Sequence, residues 1–353
     1  MQDKNIRQRI FNIKTQEEFR DITLNVFRIQ SKNNPVYKEY INLLEVDSSK
    51  INSLEQIPFL PICFFKSKEI ICNNVYNNAI ETKQIIFTSS STGGTVPSKH
   101  YVSDVSVYKD SFIKSFNIFY GNPKEYTILA LLPSYLERQG SSLVYMANEL
   151  INISLEENSK SGFYLYNFKE LHDTLNYLKD NRKKTILLGV TFALLDFLDN
   201  YSIDYKDLII METGGMKGRG IEMDRKTLHN KLRAGFGTYN IHSEYGMAEL
   251  LSQAYSKTEG VFKSPPWMQI MVRNLQNPFS YYTTSNNNHP FAKSTALGGI
   301  NIIDLANINS CSFIETEDMA YLFNPGELSS LFTVEGRLKE AEMRGCNLLL
   351  HNV

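Results

Sequence analysis

With 353 residues, 42% of them hydrophobic and 21% charged, the chain is long enough to bury a sizeable core and has the balance of an ordinary globular protein. A formal charge of −1 offers no electrostatic drive toward nucleic acid or an anionic membrane surface, so neither is expected as a partner. Four cysteines, Cys63, Cys72, Cys311 and Cys346, are scattered without a C-x-x-C pair, which argues against a disulfide framework or a zinc site and fits a reducing, cytoplasmic location.

In chain order, the polar start MQDKNIRQRI lacks the apolar core of a signal peptide. Thr15 and Glu18 form a capping box ahead of Phe19, Ile22, Val26 and Phe27, which predicts a helix. Asn34-Pro35 opens a second helix over 36–44. Pro58 and Pro61 make IPFLPICFFKSKEI extended or turn-like, and a boundary is placed near residue 80.

From there strand and helix alternate. Strands are predicted at 84–87, 126–132, 163–166, 185–190 and 208–211. Helices are predicted over about 104–119, 140–154, 168–180 and up to Asp199. The apolar run around TILLGVTFALL is too short to span a bilayer. This order predicts an α/β fold with a mostly parallel sheet flanked by helices and joined by right-handed crossovers. After residue 236 short strand-like segments and turns take over. The expected organisation is therefore a helical region (1–80), an α/β core (81–235) and a β-rich continuation ending in a short tail (236–353).

Ligands of such sheets sit at the carboxyl ends of the strands. FTSSSTGGTVPSKHYV (87–102) follows a predicted strand, and its N–H groups, hydroxyls and Lys99 suit either a phosphate nest or a plain surface loop. It lacks the Gly-Lys-Ser/Thr of a Walker A loop. METGGMKGRG (211–220) is either a close-approach turn against a flat ligand or a flexible βα turn. IHSEYGMAELLSQAY (241–255) offers Tyr245 for stacking and Glu249 as a magnesium ligand or a helix-start carboxylate. Asp318 is a candidate ribose acceptor or turn residue, and Arg337 a candidate guanidinium for phosphate. Cys346, beside Arg344, is a reactive thiol or an inert buried one.

Taken in order, these segments resemble the adenylate-forming superfamily of acyl and aryl ligases over roughly residues 84–346. LLPSYLERQGSSLVYM (131–146) and TGGMKGRG (213–220) look like the acyl-protein synthetase family, which includes the fatty-acid-activating component of bacterial luminescence reductase. IPFLPICFFK resembles the N-terminal element of phenylacetate–coenzyme A ligases. The resemblance implies the adenylate-forming N-terminal core, and because the sequence stops 16 residues after Arg337, where ordinary members carry a C-terminal lid domain, that lid is not expected. The resemblance also implies ATP and Mg²⁺ as cofactors. Ser89, Ser90, Thr92, Gly93, Gly94 and Lys99 would then form the phosphate loop. Gly214 and Gly215 would lie against adenine, and Tyr245 would stack on it or line the acyl site. Glu249 would hold Mg²⁺, Asp318 the ribose, and Arg337 the ribose or phosphate. Cys346 matches the near-terminal cysteine that accepts the acyl group. Departures are Ser91 where the family has its first loop glycine, Gly93 where it has a hydroxyl residue, Ser98 as an extra residue before Lys99, and Thr316-Glu317-Asp318 for Thr-Gly-Asp.

The implied reaction is activation of a fatty or related carboxylic acid as an acyl-adenylate, then transfer to a protein thiol. An acyl reductase or acyl carrier protein is the implied partner. Three alternatives compete: a lidless ligase that delivers to a carrier protein or coenzyme A, an ATP-independent acyltransferase built on His100 and Asp104, and a non-catalytic ligase fold kept as a binding subunit. No G-x-S-x-G elbow supports the acyltransferase.

Overall fold

The computed structural model describes residues 5–72, 84–90, 96–133, 139–214, 223–282, 296–323 and 326–338. Helix α1 (Ile6–Ile10) leads into α2 (Gln16–Asn33), whose N-terminus carries the capping box: the Thr15 hydroxyl accepts from the Glu18 N–H and Glu18 accepts from the Thr15 N–H. Asn34 closes α2 and caps α3 (Pro35–Leu43), with proline at the first helical position. The proline-bounded segment then gives a two-residue strand, β1 (Leu60–Pro61), and one turn of helix, α4 (Phe64–Ser67).

The first predicted strand of the α/β region is the main correction. β2 (Ile85–Thr88) does not join the parallel sheet; it pairs antiparallel with β3 (Lys99–Val102) in a two-stranded sheet of its own. The Ser/Thr/Gly segment is thus a hairpin connection and not a strand-to-helix turn. Four residues of IIFT look the same in sequence whether their partner is a crossover strand or the next segment of chain.

Thereafter the alternation holds: α5 (Val105–Tyr120), β4 (Thr127–Leu131), α6 (Ser142–Leu155), β5 (Gly162–Tyr164), α7 (Phe168–Asp180), β6 (Thr185–Val190), α8 (Thr191–Leu198), β7 (Ile209–Thr213), α9 (Arg225–Phe236) and β8 (Ile241–Tyr245). β5, β4, β6, β7 and β8 lie side by side and parallel. β4 and β6 are buried at every position, as the unbroken apolar runs TILAL and TILLGV require when helices cover both faces. β9 (Ala254–Ser256), β10 (Phe262–Lys263) and, further along the chain, β14 (Leu331–Phe332) extend this sheet antiparallel.

β11 (Met268–Arg273), β12 (Gly298–Asp304) and β13 (Phe313–Ala320) form a second, antiparallel sheet, with β15 (Gly336–Arg337) and the N-terminal β1 both on β13. α2 is fastened to it as well: buried Gln30 donates to the carbonyls of Asn307 and Ile308 and accepts from the Ser312 N–H. Trp267, buried between the sheets, donates to Ser111 and Ser252 and meets Phe11 edge-on. Among the described residues no helix is long and apolar enough to cross a membrane.

Candidate active site

The carboxyl ends of β7 and β8 place their last residues at one edge of the large sheet, and the start of β3 and the pair β13–β15 bring further side chains to it. The base of the Ser/Thr/Gly hairpin is pinned by a reciprocal pair. The Ser89 N–H donates to the Ser98 carbonyl at 3.1 Å, and the Ser98 N–H donates to the Ser89 hydroxyl at 2.9 Å. Ser98, which stands between Pro97 and Lys99, is buried, and its side chain opposes the upward pull of burial on the Glu249 carboxyl. Lys99 next to it is exposed, as is Ser90 across the hairpin. Thr92, Gly93, Gly94, Gly215 and Cys346 lie outside the described residues. Gly214 follows β7 with φ +77°, a left-handed conformation that favours glycine there.

Tyr245, the last residue of β8, packs edge-on against Phe262 and Phe332 and donates its hydroxyl to Asp318 Oδ2 at 2.8 Å. Asp318 sits opposite Arg337 in the β13–β15 register, with Arg337 Nε 3.4 Å from Oδ1. Burial lifts the Asp318 carboxyl above its usual range, and the Arg337 guanidinium and Tyr245 hydroxyl oppose that. Glu249 is 4% exposed; burial raises it too, against the Ser98 bond and the charge of Arg337. Residues from 98 to 337 therefore meet in one electrostatic unit: Ser98, Tyr245, Glu249, Asp318 and Arg337.

Two further carboxylates escaped the sequence reading. Glu212 and Glu244 each stand one residue before the end of adjacent strands, on opposite faces of the sheet. Burial alone would raise Glu212, but the side chains of His229 and Ser243 and the Arg225 charge outweigh it and hold the carboxyl below its usual range. Glu244, 8% exposed, is bonded by Thr213 at 2.6 Å, and burial pushes it up to about 7. Glu212 closes the apolar run LIIM, and Glu244 sits in the mixed segment IHSEY. The signal available was the interruption of such a run by an acid, which no buried strand tolerates without partners.

The His100–Asp104 alternative does not assemble. His100 is buried with Nδ1 2.9 Å from the Ala248 carbonyl and Nε2 2.9 Å from Ser310 Oγ, and burial lowers it to about 4. Asp104 instead accepts from the Ser106 N–H at the head of α5 and pairs with Arg7.

Among the described residues no three His, Cys, Asp or Glu side chains cluster as an all-protein metal cage. Glu249 alone at the hairpin base fits a magnesium ion that takes most of its oxygens from phosphate and water.

No family model and no curated protein matches the chain. Solved structures do. The crystal structure of 2-hydroxyisobutyryl-CoA ligase, in the postadenylation state with 2-HIB-AMP, superposes with a TM-score of 0.59 at 10% identity, over 92% of this chain and 68% of that one. The chain has the fold of the adenylate-forming ligases. More distant similarity is found to an acyl acid amido synthetase in complex with 2,4-DB (TM-score 0.48, 11% identity, 92% of this chain and 68% of that one). A further match is O-succinylbenzoate coenzyme A synthetase from Bacillus subtilis, in complex with ATP and magnesium (TM-score 0.44, 16% identity, 75% and 54%). At these identities the likeness speaks to fold, with the helix-flanked α/β core and β-rich C-terminal segment expected from the sequence, and leaves the reaction to the residues.

Proposed function

We propose that the protein activates a carboxylic acid with ATP, releasing pyrophosphate and forming an acyl-adenylate, and then passes the acyl group to a protein thiol as acyl-protein synthetases do. The observation that carries this reading is the convergence of Ser98, Glu249, Tyr245, Asp318 and Arg337 at the carboxyl edge of a fold shared with adenylate-forming ligases. In the first step a carboxylate oxygen attacks the α-phosphorus and the bond to the pyrophosphate oxygen breaks. The Ser/Thr/Gly hairpin with Ser89, Ser90, Thr92, Gly93, Gly94 and Lys99 surrounds the phosphates with N–H, hydroxyl and ammonium donors. Asp318, aligned by Tyr245 and Arg337, accepts from the ribose hydroxyls. Gly214 and Gly215 leave room for the adenine. Glu249 would hold Mg²⁺, and the ion would supply positive charge beside the departing pyrophosphate.

In the second step the Cys346 thiolate attacks the acyl carbon, a C–S bond forms, and AMP departs with the electrons of the broken C–O bond. A partner reductase or carrier protein would take the acyl group onward. The test is incubation with ATP, Mg²⁺ and a radiolabelled acid. The expected result is acid-dependent ATP–pyrophosphate exchange together with protein-bound label released by neutral hydroxylamine. Cys346→Ser should keep the exchange and lose the label. Label that persists in Cys346→Ser removes the acceptor assignment. Label that appears only on added carrier protein or coenzyme A favours the direct-delivery ligase, and absence of exchange removes adenylation itself.

A further inference from the structure

Strand alternation divides the edge of the large sheet into two compartments. On the face covered by α9 lie Glu212, Ser243 and Tyr245, whose hydroxyl leads to Asp318 and Arg337. On the opposite face, under α5, lie Thr213 and Glu244, joined by their 2.6 Å bond. The nucleotide assignments above all fall on the first face, or on the hairpin and Glu249. The second face has no role in that reading.

Its chemistry is specific. The Tyr108 hydroxyl of α5 donates to the Ser142 carbonyl at 3.1 Å and receives the Gln253 amide nitrogen at 3.4 Å. This fixes the Gln253 amide with its nitrogen toward Tyr108. Its oxygen, on a residue only 3% exposed, has no hydrogen-bond partner. Gln253 and Glu244 converge on Gly246. A β-carbon built there would collide with Glu244 Oε1 and stand 3.4 Å from Gln253 Cγ. The titratable groups that bear on Glu244 are Tyr108 and Tyr120 of α5, Tyr255 of β9 and Glu212 of β7, none of them a cation. The Glu244 carboxyl and the Gln253 side chain thus flank the same turn, and the Gln253 amide oxygen has no protein donor. Leaving that amide oxygen unpaired is costly, and a ligand that brings a donor removes the cost.

We infer that Glu244 and Gln253 receive a hydrogen-bond-donating substituent, a hydroxyl or an ammonium group, carried by the carboxylic acid substrate. The inference rests on the adenylation reading and narrows it: a hydroxy- or amino-substituted acid is the substrate class, and the unsubstituted alkyl acid of equal length is a poor one. A site built to bond a substrate hydroxyl or amine discriminates strongly against the analogue lacking it, because the protein's own acceptors are then left bare.

The experiment measures ATP–pyrophosphate exchange with the wild-type chain and three matched acid series: alkyl, hydroxyalkyl and aminoalkyl. The expected result is a kcat/KM at least on the order of a hundredfold higher for a donor-bearing series than for its alkyl counterpart. Glu244→Gln separates the two donors. A hydroxyl substrate keeps most of its rate, because an amide oxygen still accepts, whereas an ammonium substrate loses the charge that holds it. Gln253→Leu should reduce the preference at least tenfold in either case. Equal rates for alkyl and substituted acids overturn the inference while leaving adenylation intact. If the protein binds Mg-ATP yet exchanges with no acid, adenylation is overturned instead. Calorimetric binding of the same three series then decides the pocket by itself, with tighter binding of the substituted acids supporting it and equal binding rejecting it.

Discussion

A carboxylate as enclosed as that of Asp318 stays useful only through its partners. Burial raises it, and Arg337 and the Tyr245 hydroxyl pull it back. Asp318→Ala should lower acid-dependent ATP–pyrophosphate exchange on the order of a hundredfold or more, and Glu249→Gln should do the same. If both variants exchange at the wild-type rate, the nucleotide lies elsewhere. Glu244 supports a different prediction, on stability against pH. Its folded value of about 7 exceeds the ordinary 4.5. Between those values the unfolded chain gives up the proton while the folded one keeps it, so stability falls as pH rises through the window and levels off above it. The group contributes a loss of up to about 3 kcal/mol. Glu244→Gln removes the titration. Urea unfolding at pH 5 and pH 8 should show wild type losing more stability than the variant across that interval; parallel losses would contradict it.

At the scale of elements, the turn from β8 to β9 shows how a short sequence is constrained by what lies beside it. Gly246 follows Tyr245, and the position its β-carbon would need is taken by the Glu244 carboxylate. The other oxygen of that carboxylate accepts from Thr213 on β7, so moving it aside strains a bond between two strands. Gly246→Ala should therefore cost about 1–3 kcal/mol. In Glu244→Ala, where the obstructing group is gone, the same change should cost less than half as much, a coupling that a double-mutant cycle in urea measures directly. Additive costs would mean that the crowding is elsewhere. The β2–β3 hairpin carries a similar lesson. Its Ser98 N–H bonds the Ser89 hydroxyl, and its side chain opposes the effect of burial on Glu249.

For the whole molecule, the N-terminal helices are joined to the C-terminal strands. Gln30 of α2 bonds to Asn307, Ile308 and Ser312, Asn34 bonds to the Ser310 carbonyl, and β1 runs parallel to β13. Gln30→Leu keeps the volume and strips the partners, leaving buried carbonyls and an N–H unpaired, at about 3 kcal/mol. A fall in melting temperature of roughly 5 °C is expected. If melting is unchanged, the attachment of α2 rests on its apolar face alone.

The sequence by itself determined the elements whose cause is local: the Thr15–Glu18 cap, the proline at the head of α3, and the buried runs of β4 and β6 with helices between them. It also determined which segments carry glycines, hydroxyls and charges, because composition is visible without partners. Pairing was not legible. Nothing in IIFT tells β2 that its neighbour is β3 and not the parallel sheet, since hydrogen-bonding backbone is identical in both. The same holds for Glu212 and Glu244, identical side chains one strand apart. Only the tertiary structure gave one of them His229, Ser243 and the Arg225 charge and the other a single threonine, and a carboxyl's charge in a buried place is set by those neighbours and not by its own chemistry.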